Sequence, residues 1–142
     1  MKNTLPIVIA VLLGLIISVG AGSYFAFNND VTVASINVAG FLEAACTTPL
    51  TALTWDPIPP GESAWKLVYV NSTGTVPAVL NLSTSTWNPT YAQPYVTYTW
   101  DIEGVTINPN TILQANISLT HAADMGNVTT YTFTAVINGE EP

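Results

Sequence analysis

The chain has 142 residues, of which two are basic, nine are acidic and one is cysteine. Charged residues make up only 8%, against roughly 25% in an average soluble domain, and the basic residues are Lys2 and Lys66. Nucleic-acid binding needs several phosphate-neutralising side chains on one face, so the composition excludes a nucleic-acid partner. The length suits one domain and is too short for two.

The N-terminal part of the chain carries an apolar run that is typical of an export signal or a membrane anchor. The stretch from Leu5 to Phe27 contains no charged residue. As a helix it would reach about 34 Å, slightly more than the roughly 30 Å hydrocarbon core of a bilayer. Lys2 precedes the run and Asp30 follows it, which places the N-terminus in the cytoplasm.

These features divide the chain into two parts. We expect residues 1–29 to be a signal peptide or a transmembrane signal anchor, because the small residues at positions 20–23 also fit a signal-cleavage site. We expect residues 30–142 to form an extracellular domain. The predicted location is the cell membrane with the C-terminal domain outside, or the medium after signal cleavage.

The segment "VTVASINVAG", residues 31–40, follows the apolar run directly. Apolar residues lie at both alternating sets of positions, so neither face of a strand here is plainly polar. Such a strand is normally covered on both sides or used at a sheet edge. Two interpretations remain: the first strand of its own domain, or a strand donated to a neighbouring subunit.

Beyond this segment the hydrophobic pattern has a period of two, which is typical of half-buried strands. Prolines and glycines interrupt it at short intervals; Pro59, Pro60 and Gly61, for example, predict a corner that ends a strand around Trp55. We predict an all-β, antiparallel immunoglobulin-like sandwich of seven or eight strands. The alternation assigns eight side chains to its core: Trp65, Leu67, Leu80, Leu82, Leu113, Ile117, Phe133 and Ile137.

Five short motifs of this sequence together resemble the pattern of a known protein family. They are Pro60-Gly61-Glu62, the strand ending in Val70-Asn71, the Thr73-Gly74 turn, Pro77 before an aliphatic strand, and the closing "YTFTAVINGE". Across residues 52–140 the chain resembles small archaeal surface proteins with one immunoglobulin-like domain behind an N-terminal membrane segment. The motif "GAGSYFAF" is similar to camelysin-type fibre proteins of biofilms. The resemblance implies adhesion, envelope scaffolding or filament formation and brings no catalytic residues.

Catalytic and metal-binding patterns are missing from the sequence. Copper in a sandwich protein needs two histidines and a cysteine, and a catalytic triad needs a histidine beside a nucleophile, but His121 is the single histidine. Asp101, Glu103 and Asp124 lie near turns without a full set of calcium ligands at loop spacing. We expect no enzyme activity, no cofactor and no metal, with His121 at a loop or strand end and Cys46 as a small buried residue.

Four asparagines match the N-x-[ST] acceptor pattern and are candidates for glycosylation: Asn71, Asn81, Asn116 and Asn127. The alternation places each of them on an outward face or in a turn. The loop "TWNPTYAQPY" adds three aromatic residues, Trp87, Tyr91 and Tyr95. Either these three form a platform for a sugar, or the loop is a corner packed on the sandwich.

Together these patterns favour a non-catalytic structural or adhesive protein of the cell surface or envelope, which presents one β-sandwich domain outside the membrane. Its expected partners are the membrane, other envelope proteins or copies of itself. A filament subunit that assembles by strand donation is one alternative. A carbohydrate-binding module is another.

Membrane association should depend on the run from Leu5 to Phe27, because no other stretch is long and apolar enough to span a bilayer. We expect its deletion to yield a soluble domain, measured by membrane fractionation. A truncated protein that still sediments with membranes and resists a high-salt wash would contradict the anchor.

Overall fold

The computed structural model describes residues 34–142. The predicted membrane run and residues 31–33 lie outside the described residues. Seven strands and one 3₁₀ helix, Thr90–Tyr95, occur in this part. The strands are β1 Val38–Phe41, β2 Ser63–Ser72, β3 Ala78–Asn88, β4 Val96–Trp100, β5 Thr106–Ile107, β6 Ile112–His121 and β7 Thr132–Glu140. Among residues 34–142, no helix has the length and apolar character needed to cross a membrane.

The strands form two antiparallel sheets. One sheet has four strands in the order β1-β2-β6-β4, and the other has three in the order β5-β3-β7. Every strand pair is antiparallel. The prediction of an all-β, antiparallel architecture is therefore confirmed.

Side chains from both sheets meet in one main core. Leu80 from β3 and Ile117 from β6 are almost completely buried there, as the alternation predicts. Leu82, Leu113 and Ile137 are partly buried against the same core. Phe133 packs instead on a second, smaller cluster around Trp87.

The core prediction is wrong for β2, where the inward and outward faces are exchanged. Val68 and Val70 are fully buried, whereas Trp65 is 71% exposed and Leu67 is 42% exposed. Both faces of this strand carry apolar residues, so alternation alone does not distinguish them. Because side chains alternate with a period of two, an error of one residue moves the whole set to the other face.

The segment 31–40 belongs to its own sheet as far as it is described. Val38 to Phe41 pair with β2, and the amide of Thr73 donates to the carbonyl of Asn37. Gly74 lies beside this chain so closely that a Cβ there would be 2.5 Å from the Ser35 carbonyl oxygen. The first-strand interpretation therefore holds for residues 35–40 in this structure.

The connection between β1 and β2, residues 42–62, pairs with β1 only as far as Leu50. Leu50 donates its amide to the Gly40 carbonyl, but the following residues, 51–58, form no strand. Pro59 accepts a hydrogen bond from the Glu62 amide, and Gly61 has a φ of 79°. The predicted corner is confirmed, whereas the strand expected around Trp55 is replaced by an unpaired segment.

Leu80→Ala should destabilise the domain strongly, and Leu67→Ala should not, because only Leu80 is enclosed by the core. We expect a loss of about 3 kcal/mol for Leu80→Ala and about 0.5 kcal/mol for Leu67→Ala. Urea unfolding followed by tryptophan fluorescence measures both values. Equal losses for the two variants would contradict the observed orientation of β2.

Candidate functional site

Among the strands of residues 34–142, β7 has a partner on one edge only. It pairs with β3 from Thr132 to Glu140 and stands last in its sheet. No backbone hydrogen bond connects its other edge to another segment within residues 34–142. The strand contains no lysine and no proline, which are residues that proteins commonly place on exposed edges to prevent further pairing.

A groove runs along this open edge. It lies between β7 on one side and residues 51–58 on the other, and its volume is about 970 Å³. We call it the β7 groove. Its floor consists of four partly or fully buried side chains from both sheets, namely Leu82, Tyr98, Ile117 and Leu119. Burial raises the pKa of Tyr98 to about 12, so this floor stays uncharged at physiological pH.

The inner face of β7 is incompletely covered. Phe133, Ala135 and Ile137 alternate along the side of the strand that lines the β7 groove. Phe133 and Ile137 are half-buried, but Ala135 between them is exposed. The domain therefore leaves part of an inward-facing strand surface open to solvent.

The opposite wall is held by side chains rather than by a β-ladder. The ring of Trp55 contacts Tyr98 edge to face, with 6.4 Å between the ring centroids. The Nζ atom of Lys66 lies 5.6 Å from the Trp55 ring centroid, within the range of a cation–π interaction. Leu53 packs on the main core. These contacts keep residues 51–58 beside the groove while the β7 edge remains unpaired.

His121 joins the two walls at one end of the groove. Its Nδ1 atom lies 2.8 Å from the Ile58 carbonyl oxygen and its Nε2 atom 2.7 Å from the Tyr131 hydroxyl. A carbonyl can only accept, so Nδ1 donates to Ile58, and in the tautomer with its proton on Nδ1 the ring accepts from the Tyr131 hydroxyl through Nε2. Burial raises the pKa of Tyr131. His121 ends β6, as predicted, and its contacts are structural.

The three aromatic residues of the candidate sugar platform differ in exposure. Trp87 is only 8% exposed, and its ring stacks on Phe133 at a centroid distance of 4.3 Å. Tyr91 is 57% exposed, whereas Tyr95 is half-buried against the second core cluster. The loop therefore has the packed corner of the alternative interpretation, and Trp87 is unavailable as a stacking surface.

The carboxylates near turns serve as hydrogen-bond acceptors within the fold. Asp101 accepts from the Asn116 amide at 2.8 Å, Glu103 from the Trp100 indole, and Asp124 from the Gly126 amide. The Thr48 and Thr47 amides lower the pKa of Glu43 to about 2. No group of three or more potential metal ligands occurs within residues 34–142.

Cys46 lies in the loop that Glu43 organises, and it is half-buried with a positive φ of 53°. The expectation of a buried cysteine is therefore wrong, because the turn leaves this residue partly at the surface. The four candidate glycosylation sites are all at least partly exposed: Asn71, Asn81, Asn116 and Asn127. Their use stays a prediction.

No family model, no curated protein and no solved structure matches this chain. The functional argument therefore depends on geometry. Sequence reasoning missed the β7 groove, although one signal for it exists: Ala135 places a very small side chain between the larger Phe133 and Ile137.

Tyr131→Phe should loosen the end of the groove, because it removes the hydroxyl that donates to His121. We expect a loss of about 1 kcal/mol in the free energy of unfolding. Tyr91→Phe is the matched control, since Tyr91 is exposed and should change stability very little. Chemical denaturation measures both variants, and equal effects would contradict a structural role for the His121 contact.

Proposed function

We propose that this protein is a non-catalytic structural subunit of the cell surface, exported by its N-terminal run, whose extracellular sandwich accepts a strand from another copy. The observation that carries this proposal is the unpaired edge of β7 beside an apolar groove, where Ala135 faces inward and is exposed. An edge of this kind binds an extended segment through main-chain hydrogen bonds, while the groove receives alternate side chains.

The prediction of an immunoglobulin-like sandwich also supports strand binding at the edge of β7. In a constant-type domain, one sheet has the order A-B-E-D and the other C-F-G. The order β1-β2-β6-β4 corresponds to A-B-E-D, and in the order β5-β3-β7 the strands β3 and β7 correspond to C and F, whereas the two-residue strand β5 has no counterpart. By this correspondence the open edge of β7 is the place of strand G. No segment of residues 34–142 occupies that place.

The chain contains a segment with the pattern that such a groove requires. In residues 24–33, "YFAFNNDVTV", four apolar residues share one face of an extended strand: Phe25, Phe27, Val31 and Val33. The other face is mostly polar, with Asn28, Asp30 and Thr32. Strand donation by residues 24–33 replaces donation by residues 31–40, because Ser35 to Gly40 are already paired with their own β2 region.

A neighbouring copy is the preferred source of this strand. Residues 31–35 contain neither glycine nor proline, the residues that most readily reverse a chain, so a return into the groove of the same copy is disfavoured. Donation also requires residues 24–33 to lie outside the bilayer. Signal cleavage among the small residues 20–23 would release them.

The absence of catalysis in this proposal is supported by how the polar side chains are used. Both ring nitrogens of His121 are engaged within the fold, and Asp101, Glu103 and Asp124 accept structural hydrogen bonds. A structural role requires only export, stability and a self-complementary surface.

Ala135→Lys should prevent assembly, because it places a long charged side chain on the inner face of β7, in the path of an inserted strand. Asn138→Lys is the matched control, since Asn138 is also exposed, lies on the other face of the same strand and does not line the β7 groove. We expect the wild type and Asn138→Lys to form oligomers or filaments, measured by electron microscopy and sedimentation velocity of the exported protein. We expect Ala135→Lys to remain monomeric.

Thermal unfolding of the two variants serves as the control for folding, and we expect similar midpoints because both positions are exposed. A wild-type protein that stays monomeric at every concentration tested would contradict strand donation. So would an Ala135→Lys variant that is folded and assembles like the wild type.

A further inference from the structure

The outer face of the four-stranded sheet carries a large and mostly exposed aromatic side chain. Trp65 is 71% exposed, although it lies within β2 and pairs there with Ser118 of β6. It borders a shallow depression of about 410 Å³, lined by Trp65, Thr99, Trp100, Asp101, Asn116 and Ser118. We call this surface the Trp65 face.

Polar groups are arranged in rows beside the indole. Trp65 pairs with Ser118, and Ser118 pairs with Thr99, so the three side chains cross β2, β6 and β4 in one line. Neighbouring strands lie about 4.8 Å apart, and the line therefore extends over about 10 Å. The hydroxyls of Thr99 and Ser118 have no hydrogen-bond partner among residues 34–142.

The neighbouring residues Asp101 and Asn116 add a hydrogen-bond acceptor whose orientation is fixed. Asp101 receives hydrogen bonds from the backbone amide of Asn116 at 2.8 Å and from its side-chain amide at 3.3 Å. These bonds orient the carboxylate at the border of the depression, and a carboxylate retains lone pairs for further donors. Lys66, the basic residue of this strand, lies against Trp55 instead. The lining of the Trp65 face thus contains one negative charge and no positive charge.

We propose that the Trp65 face is a binding site for the pyranose rings of a neutral polysaccharide. The C–H groups on one face of a pyranose carry partial positive charge and pack on the electron-rich face of an indole. The ring hydroxyls donate to Asp101 and exchange hydrogen bonds with Ser118 and Thr99. Anionic sugars are disfavoured because the face offers a carboxylate and no cation. This site shares no lining residue with the β7 groove.

Binding of soluble oligosaccharides to the full chain, produced in a host that does not glycosylate it, tests this site. The probes are cellohexaose and mannohexaose as neutral sugars, and hexagalacturonic acid as an anionic one. Tryptophan fluorescence and calorimetry report binding. We expect at least one neutral hexaose to bind, hexagalacturonic acid not to bind, and Trp65→Ala to weaken binding by about tenfold or more, by analogy with other stacking contacts.

Tyr91→Ala is the matched control, because Tyr91 is also a highly exposed aromatic residue but lies in the loop that follows β3. It should bind like the wild type. Ser118→Ala should weaken binding by about fivefold while the fold is retained, as one neutral hydrogen bond contributes on the order of 1 kcal/mol. The proposal is overturned if no neutral hexaose binds, or if Trp65→Ala binds as tightly as Tyr91→Ala. It is also overturned if Trp65→Ala changes only self-association, since the face would then be a protein interface.

Discussion

Within residues 34–142, β7 has a strand partner on one edge only, and the functional account depends on this constraint. The long strands β2, β3 and β6 have strand neighbours on both sides, whereas β7 borders a groove. Unpaired strand edges promote association with other chains. A protein that keeps such an edge without lysine or proline has a surface suited to a specific extended partner.

Residues 51–58 explain how the domain is stable while this edge stays open. Leu53 and Trp55 cover the main core through side-chain contacts, which contribute about 25 cal/mol for each Å² of apolar surface removed from water. Their backbone leaves the β7 edge unpaired. His121 fastens the end of this segment to Tyr131. Residues 51–58 thus cover the core without forming backbone hydrogen bonds to β7. The domain can therefore bury its apolar side chains while the edge of β7 stays unpaired.

The sequence predicted the buried face correctly for some strands and not for others, and the difference has a physical reason. In β3, β6 and β7, polar residues such as Asn81, Asn116 and Thr134 mark the outward face, so the inward residues were predicted correctly. In β2 both faces are apolar, and the choice of Val68 and Val70 over Trp65 and Leu67 is made by packing against β3 and β6. Edge pairing is a long-range property, so the small side chain of Ala135 is a local sign of the groove but does not reveal which edge of β7 is open.

Disulfide trapping between two copies tests the central claim most directly. Both copies are produced from the full-length gene and exported, so that signal cleavage can release residues 24–33. One copy carries Val31→Cys and the other Ala135→Cys, and both carry Cys46→Ser to remove the native thiol. Because a disulfide requires Cβ atoms about 3.8 Å apart, an adduct reports a strand seated in the β7 groove. The account predicts a covalent dimer of the two copies under mild oxidation. The absence of any adduct, with the first cysteine at Val31 or instead at Phe27 or Val33, would contradict it. An equal yield when Asn138→Cys replaces Ala135→Cys would also contradict it.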